Sequence, residues 1–120
     1  MTQEQSERVE EERVEIMELY DKIGDQHKKI AERLIDRAAY LRVTIEALED
    51  DLMENGWTEP FQQSTSVDPY DRRRPNADIY TSLVTQYTRI IKQLDGMLPK
   101  ADAISKDDDL IEFLGGSQPC

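Results

Sequence analysis

IGDQHKKIAERLIDRAAYLRVTIEALEDDLMENG, residues 23–56, carries the pattern that decides the fold. A stripe runs through Ile23, His27, Ile30, Leu34, Ala38, Leu41, Ile45, Leu48 and Leu52, in steps of 4, 3, 4, 4, 3, 4, 3 and 4. The mean step is the α-helical repeat of about 3.6, and no two-residue alternation fits it. At about 1.5 Å per residue, a helix from Asp25 to Glu54 spans roughly 45 Å. Asn55-Gly56 is a pair that favours a left-handed C-terminal cap, and Trp57 is placed to fold back on the last turn. Gly24 interrupts the pattern near its start, and Asp25 behind it suits an N-cap. A break or kink is therefore expected at Gly24, with one uninterrupted helix over residues 5–54 as the alternative.

Downstream, a second helix starts near Pro75-Asn76. Proline is tolerated in a first turn, and Asp78 complements the helix dipole. Tyr80, Leu83, Tyr87, Ile90, Leu94 and Met97 follow in steps of 3, 4, 3, 4 and 3, with Val84, Ile91 and Leu98 alongside. That face is wide enough to meet more than one neighbour, and Pro99 stops the helix. Between the two helices, residues 57–75 hold three of the five prolines, and periodicity stops. The stretch reads as a long polar loop, able to reverse the chain.

Upstream, residues 4–18 carry seven Glu and two Arg, with only Val9, Val14, Ile16 and Met17 as apolar positions. A solvated, frayed helix that buries little by itself is expected. Beyond Pro99 lies an acidic tail ending KDDDLIEFLGGSQPC, in which Leu110, Ile111, Phe113 and Leu114 form a short apolar cluster. Such a peptide is too short to fold alone and suits a partner's groove, or packing on its own domain. The expected organisation is an acidic N-terminal segment (1–18), a helical hairpin and oligomerisation domain (19–99) and an acidic, flexible C-terminal tail (100–120). Two antiparallel helices leave part of each apolar face wet, so self-association is expected, with Leu34, Leu41, Ile45, Leu48, Tyr80, Leu83, Tyr87, Ile90 and Leu94 at the interface.

The 120 residues make one small domain, too short for a barrel or dinucleotide enzyme. Fifteen basic against 26 acidic residues give a formal net charge of -11, which argues against indiscriminate nucleic-acid binding but not against a local basic patch. Cys120 is the single cysteine, so no intramolecular disulfide is available. One His and one Cys cannot supply a structural zinc site. No run of about 18 apolar residues and no leader pattern is present, so a soluble cytosolic chain is expected, with no membrane partner.

Three places hold candidate chemistry. Arg72, Arg73 and Arg74 stand together before the second helix, and adjacent guanidinium groups bind phosphates without base-specific geometry. The plainer reading is a solvated loop offset by Asp68, Asp71 and Asp78. Lys29, Arg33 and Arg37 recur every four residues as a ridge beside the core stripe, with Lys28 and Arg42 on nearby faces. In a ring of copies such a ridge becomes a circle of positive charge; the plainer reading is surface pairing with Glu32 and Asp36. His27 reads as a helix-interface residue. Asp50-Asp51 and Asp107-Asp108-Asp109 lack a calcium-loop pattern, and solvation explains them better. No phosphate-cradling glycine loop or dinucleotide fingerprint occurs. No enzyme activity, cofactor or metal is expected.

LEDDLMENGWTEPFQQ (48–63), RRRPNADIYTSLVTQYTRIIKQLDGMLPK (72–100) and DDDLIEFL (107–114) resemble the small subunit of phage terminases of the helical-hairpin kind. The resemblance covers roughly residues 16 to 114. Its most specific phrases are the ENG helix end, Glu59-Pro60-Phe61-Gln62, the helix start at Pro75, Ala77, Asp78 and Tyr80, and IIKQL at Ile90 to Leu94. The resemblance implies a non-catalytic role in viral genome packaging in the host cell cytoplasm. It implies a homo-oligomeric ring that binds viral double-stranded DNA and recruits and regulates a large ATPase–nuclease subunit. It further implies that Leu34 to Leu52 and Tyr80 to Leu98 build the ring, and that Phe113 and Leu114, with Leu110 and Ile111, contact the large subunit. Many such subunits open with a helix-turn-helix; residues 1–18 offer none, which favours backbone contact through a basic ring interior over major-groove readout. The rival expectation is a structural coiled-coil adaptor, or an inhibitor whose acidic surface mimics DNA.

Overall fold

The computed structural model describes residues 2–99. The expectations placed on residues 100–120, including the contact through Leu110, Ile111, Phe113 and Leu114, lie outside the described residues.

Three helices and a two-stranded hairpin follow one another: α1 (Gln3–Leu19), a 3₁₀ turn (Asp25–His27), α2 (Lys28–Asn55), β1 (Thr58–Phe61), β2 (Tyr70–Arg73) and α3 (Pro75–Met97). The chain is mostly helical, and α2 is its spine. Helices α1 and α3 both run antiparallel to α2. Arg8 of α1 reaches Glu46 at 3.0 Å, and Tyr80 of α3 donates to Glu49 at 3.0 Å.

The acidic N-terminal segment departs most from expectation. A capping box starts α1: the Gln5 amide donates to Thr2 Oγ1 at 3.1 Å, and the Gln5 side chain accepts from the Thr2 amide at 3.0 Å. The helix is not a solvated appendage. Ile16 is wholly buried, and Tyr20 and Ile23 after it are nearly so. They join one core cluster with Ala31, Ile35, Ala38 and Ala39 of α2, Tyr87, Ile91 and Leu94 of α3, and Leu98 just after it. Six of the seven glutamates project outward; the seventh, Glu12, is buried and paired with Arg8 at 2.8 Å. Arg8 bridges on to Glu46, which also meets Arg42 at 3.5 Å. Tyr87 lies beneath this ion group, and its phenol is pushed up to about 12, by burial first and the nearby Glu12 charge second.

The chain does break near Gly24. Tyr20 closes α1 by donating its amide to Ile16 O at 3.1 Å, and the Ile23 amide then donates to Tyr20 O at 3.2 Å. Asp25 does not cap a long helix; it opens the 3₁₀ turn, and α2 begins at Lys28 without a side-chain cap. Gly24 has φ −64°, which any residue adopts, so buried Tyr20 and Ile23 make the turn rather than glycine freedom. At the far end Gly56 donates to Leu52 O at 2.8 Å and ends α2 where expected, but its φ of 85° with ψ of 172° is a glycine-specific extended exit and not the left-handed helical cap.

Three further expectations change. Ile30, placed in the core stripe, is 56 % exposed, because α2 buries the flank carrying Ala31, Ile35 and Ala39 against α1 as well as the flank facing α3. His27 stands in the turn before α2, half-buried. Residues 57–75 are not a structureless loop: β1 and β2 pair antiparallel, with Thr58 opposite Arg73 and Phe61 opposite Tyr70. Four-residue strands, one containing Pro60, carry no alternation long enough to read locally.

Candidate nucleic-acid interface

Each arginine of the 72–74 run has a separate local task. Arg74 precedes α3 and points back to the end of α2. Its Nη2 donates to Asp51 Oδ1 at 3.1 Å and Oδ2 at 2.9 Å, and its Nη1 donates to Gly56 O at 2.7 Å. Asp51 also accepts from Asn55 at 2.9 Å and Asn76 at 3.0 Å. The Arg74 amide donates to Trp57 O at 2.9 Å. One carboxylate thus ties α2, the hairpin and α3 together. These hydrogen bonds, those of Asn76 and Asn55 before that of Arg74, hold the Asp51 carboxyl below the ordinary 3.8.

Arg73 pairs with Asp78 at 2.7 Å, donates to Thr81 at 3.3 Å and lies 5.6 Å from the Trp57 ring centre. Trp57 meets Tyr80 edge to face at 5.7 Å and, as expected, lies by the last turns of α2, lining a cleft with Leu52 and Met53. Arg72 pairs with Glu59 at 3.0 Å and stacks 3.9 Å from the Phe61 ring centre, which meets Tyr70 edge to face. Arg72 and Arg73 remain at the surface, whereas Arg74 is largely enclosed. The neutralising partners are Asp51, Glu59 and Asp78, not the Asp68 and Asp71 nearest in sequence.

Asp51 and Arg74 make the hairpin's docking pH-dependent. A carboxyl held below its unfolded value adds stability that is full above that value and is lost as pH falls through the depressed one. The expected result is loss of amide-exchange protection across Thr58–Phe61 and Tyr70–Arg73 on acidification below 3.8. Arg74→Ala should bring the same loss at neutral pH, and Arg72→Ala should leave protection nearly unchanged. Exchange measured by NMR checks all three.

The second basic group is placed differently. Lys29, Arg33 and Arg37 lie on the face of α2 turned away from α1 and α3, all exposed. None of the three side chains makes an ion pair or hydrogen bond with another described residue. The charges of Glu32 and Asp36 are felt by Arg13 of α1 and help raise its pKa, after its main partner Glu10. Lys28 reaches Asp25 at 3.9 Å, and Arg42 belongs to the ion group around Glu46. The three bare cations span about 12 Å of helix. Ile30 and Tyr40, 56 % and 52 % exposed, stand beside them. The exposure of Ile30 carried no sequence signal, because it fits the core period; that of Tyr40 agrees with its place off the stripe.

Of the residues expected at an oligomer interface, Leu41, Ile45, Tyr87, Ile90 and Leu94 are buried within the chain's own core. Leu34, Leu48, Tyr80 and Leu83 are half-buried and retain surface. The packing of α1 accounts for the difference, since it covers apolar area that a two-helix hairpin would leave open. A cleft of about 380 Å³ lies between the end of α1 and the start of α2, lined by Val14, Met17, Tyr20, Ile23, Ala31 and Ile35. Among the described residues, no group of three or more His, Cys, Asp or Glu side chains is placed to hold a metal ion. No described helix is long and apolar enough to cross a membrane. Comparisons with protein-family models, curated proteins and solved structures found no match to this chain.

Proposed function

We propose that this chain is a non-catalytic small terminase subunit of a tailed phage. In this reading it works as a homo-oligomeric ring, binds viral double-stranded DNA at the packaging site, and recruits and regulates the large ATPase–nuclease subunit. The bare cationic row Lys29, Arg33 and Arg37 carries the reading. A chain with net charge -11 that leaves three cations in line, exposed and outside any ion pair among the described residues, has a surface suited to a polyanion. A duplex presents one charge per about 1.7 Å of axis, so three cations over about 12 Å face several phosphates at once. Arg72 and Arg73 are secondary contacts, since a phosphate must displace Glu59 or Asp78. Arg74 supports the hairpin and takes no part. The phrases shared with small terminase subunits supply the packaging context. Leu34, Leu48, Tyr80 and Leu83 supply the surface for neighbouring copies.

A second reading, an acidic adaptor or DNA mimic, is favoured by the six outward glutamates of α1. Native mass spectrometry with and without duplex DNA separates the two. Packaging predicts a closed assembly of many copies that gains mass with DNA. The adaptor reading predicts a monomer or dimer unchanged by DNA.

A further inference from the structure

The face of α2 bearing Lys29, Arg33 and Arg37 also fits a second acidic ligand. The antiparallel register of α3 on α2 is set by Arg74 against Asp51 and Tyr80 against Glu49. Carried to the end of α3, that register sets Leu98 against the first turn of α2, and Leu98 and Ala31 share one core cluster. The chain therefore leaves the described bundle at Pro99 beside the end of α2 where the cationic row begins. Twenty-one residues follow, and their sequence pairs Asp107-Asp108-Asp109 with Leu110, Ile111, Phe113 and Leu114. The eight steps from Pro99 to Asp107 reach up to ~26 Å when extended, farther than the row is long. The receiving face has the matching composition. Three unpaired cations are there for the aspartates, and exposed Ile30 and Tyr40 flank them for the apolar side chains.

We infer that the C-terminal segment 107–114 docks on the Lys29–Tyr40 face of its own chain and acts as an internal competitor for polyanions bound there. Only the competition rests on the DNA-binding reading; the docking does not. Held by its own chain, the segment is at high effective concentration, so modest ion pairing suffices to keep it bound. A duplex, with far denser charge, displaces it.

Cys120 is the only cysteine, so a nitroxide can be placed on the full chain without substitution. Paramagnetic broadening of backbone amides then reads where the tail lies, with no DNA present. Broadening is expected across residues 29–40, and its loss is expected in molar salt and in the D107N/D108N/D109N variant. Absence of broadening there, or broadening indifferent to those three substitutions, overturns the docking. A mixture of spin-labelled chain with isotope-labelled, unlabelled-cysteine chain identifies the occupant; broadening arising mainly in that mixture means a neighbouring copy's tail and overturns the intrachain assignment. For competition, the same triple variant should bind a short duplex roughly tenfold more tightly at low salt, the size of three exposed ion pairs released together. Equal affinity of the two proteins overturns the competition while leaving the docking to its own test. A failure of both to bind duplex overturns the DNA reading instead.

Discussion

Alanine at position 16 is expected to remove about 2–5 kcal/mol of folding free energy, a large share of what a domain of this size has. Ile16 is wholly buried where α1, α2 and α3 meet. Truncation there loses the transfer energy of three carbons and leaves a cavity that rigid helix packing cannot collapse. Val14 on the same helix is 43 % exposed, and Val14→Ala is expected to stay within about 0.5 kcal/mol of the parent. Urea unfolding of both variants checks the pair. A small effect at both positions would mean that α1 is the solvated appendage its composition suggests. A large loss at Ile16 alone means that the bundle has three members and that the hairpin of α2 and α3 is incomplete without the first.

That contrast explains which parts of the fold were readable. The break near Gly24 was legible although the burial of Tyr20 and Ile23 makes it; helix boundaries set by local chemistry also came through, with Gly56 ending α2 at a positive φ and Pro75 opening α3. Local signals decide such features because the cap and the helix it ends are adjacent in sequence. The role of α1 was obscured by its seven glutamates, although Ile16, Tyr20 and Ile23 continue the 4, 3 spacing of the following stripe. Charge counting weighs every position alike, whereas burial needs only one narrow face. The hairpin escaped notice because Phe61 and Tyr70 meet across eight intervening residues. The Asp51–Arg74 tie spans 23 positions, so no local pattern announces it. For the candidate site, the arginine run and the cationic ridge looked equivalent in sequence. Only the fold distinguishes them: it gives the run three carboxylate partners and leaves the ridge with no ion pair among the described residues.

Reversing the ridge should therefore have the largest effect on DNA binding. K29E/R33E/R37E is expected to weaken duplex binding by the order of a hundredfold at low salt. It should also flatten the dependence of log affinity on log salt by about 2.7, three lost phosphate contacts at about 0.9 each. The fold should survive, because all three side chains are exposed and bear no partner among the described residues. Unchanged circular dichroism and melting temperature would show that it does. R72E/R73E provides the internal comparison. Those guanidinium groups already face Glu59 and Asp78, so a phosphate gains little from them that it does not first take from a carboxylate. The pair should cost less than tenfold in affinity and change the slope by less than one. The opposite order, a steep loss at 72 and 73 with the ridge silent, would move the contact to the β-hairpin and require its two ion pairs to open on binding. Fluorescence anisotropy on a labelled duplex across a salt series yields both affinity and slope for every variant. The comparison turns on whether charge already paired inside the chain serves a partner as well as charge left bare, and desolvation and competition both say that it does not.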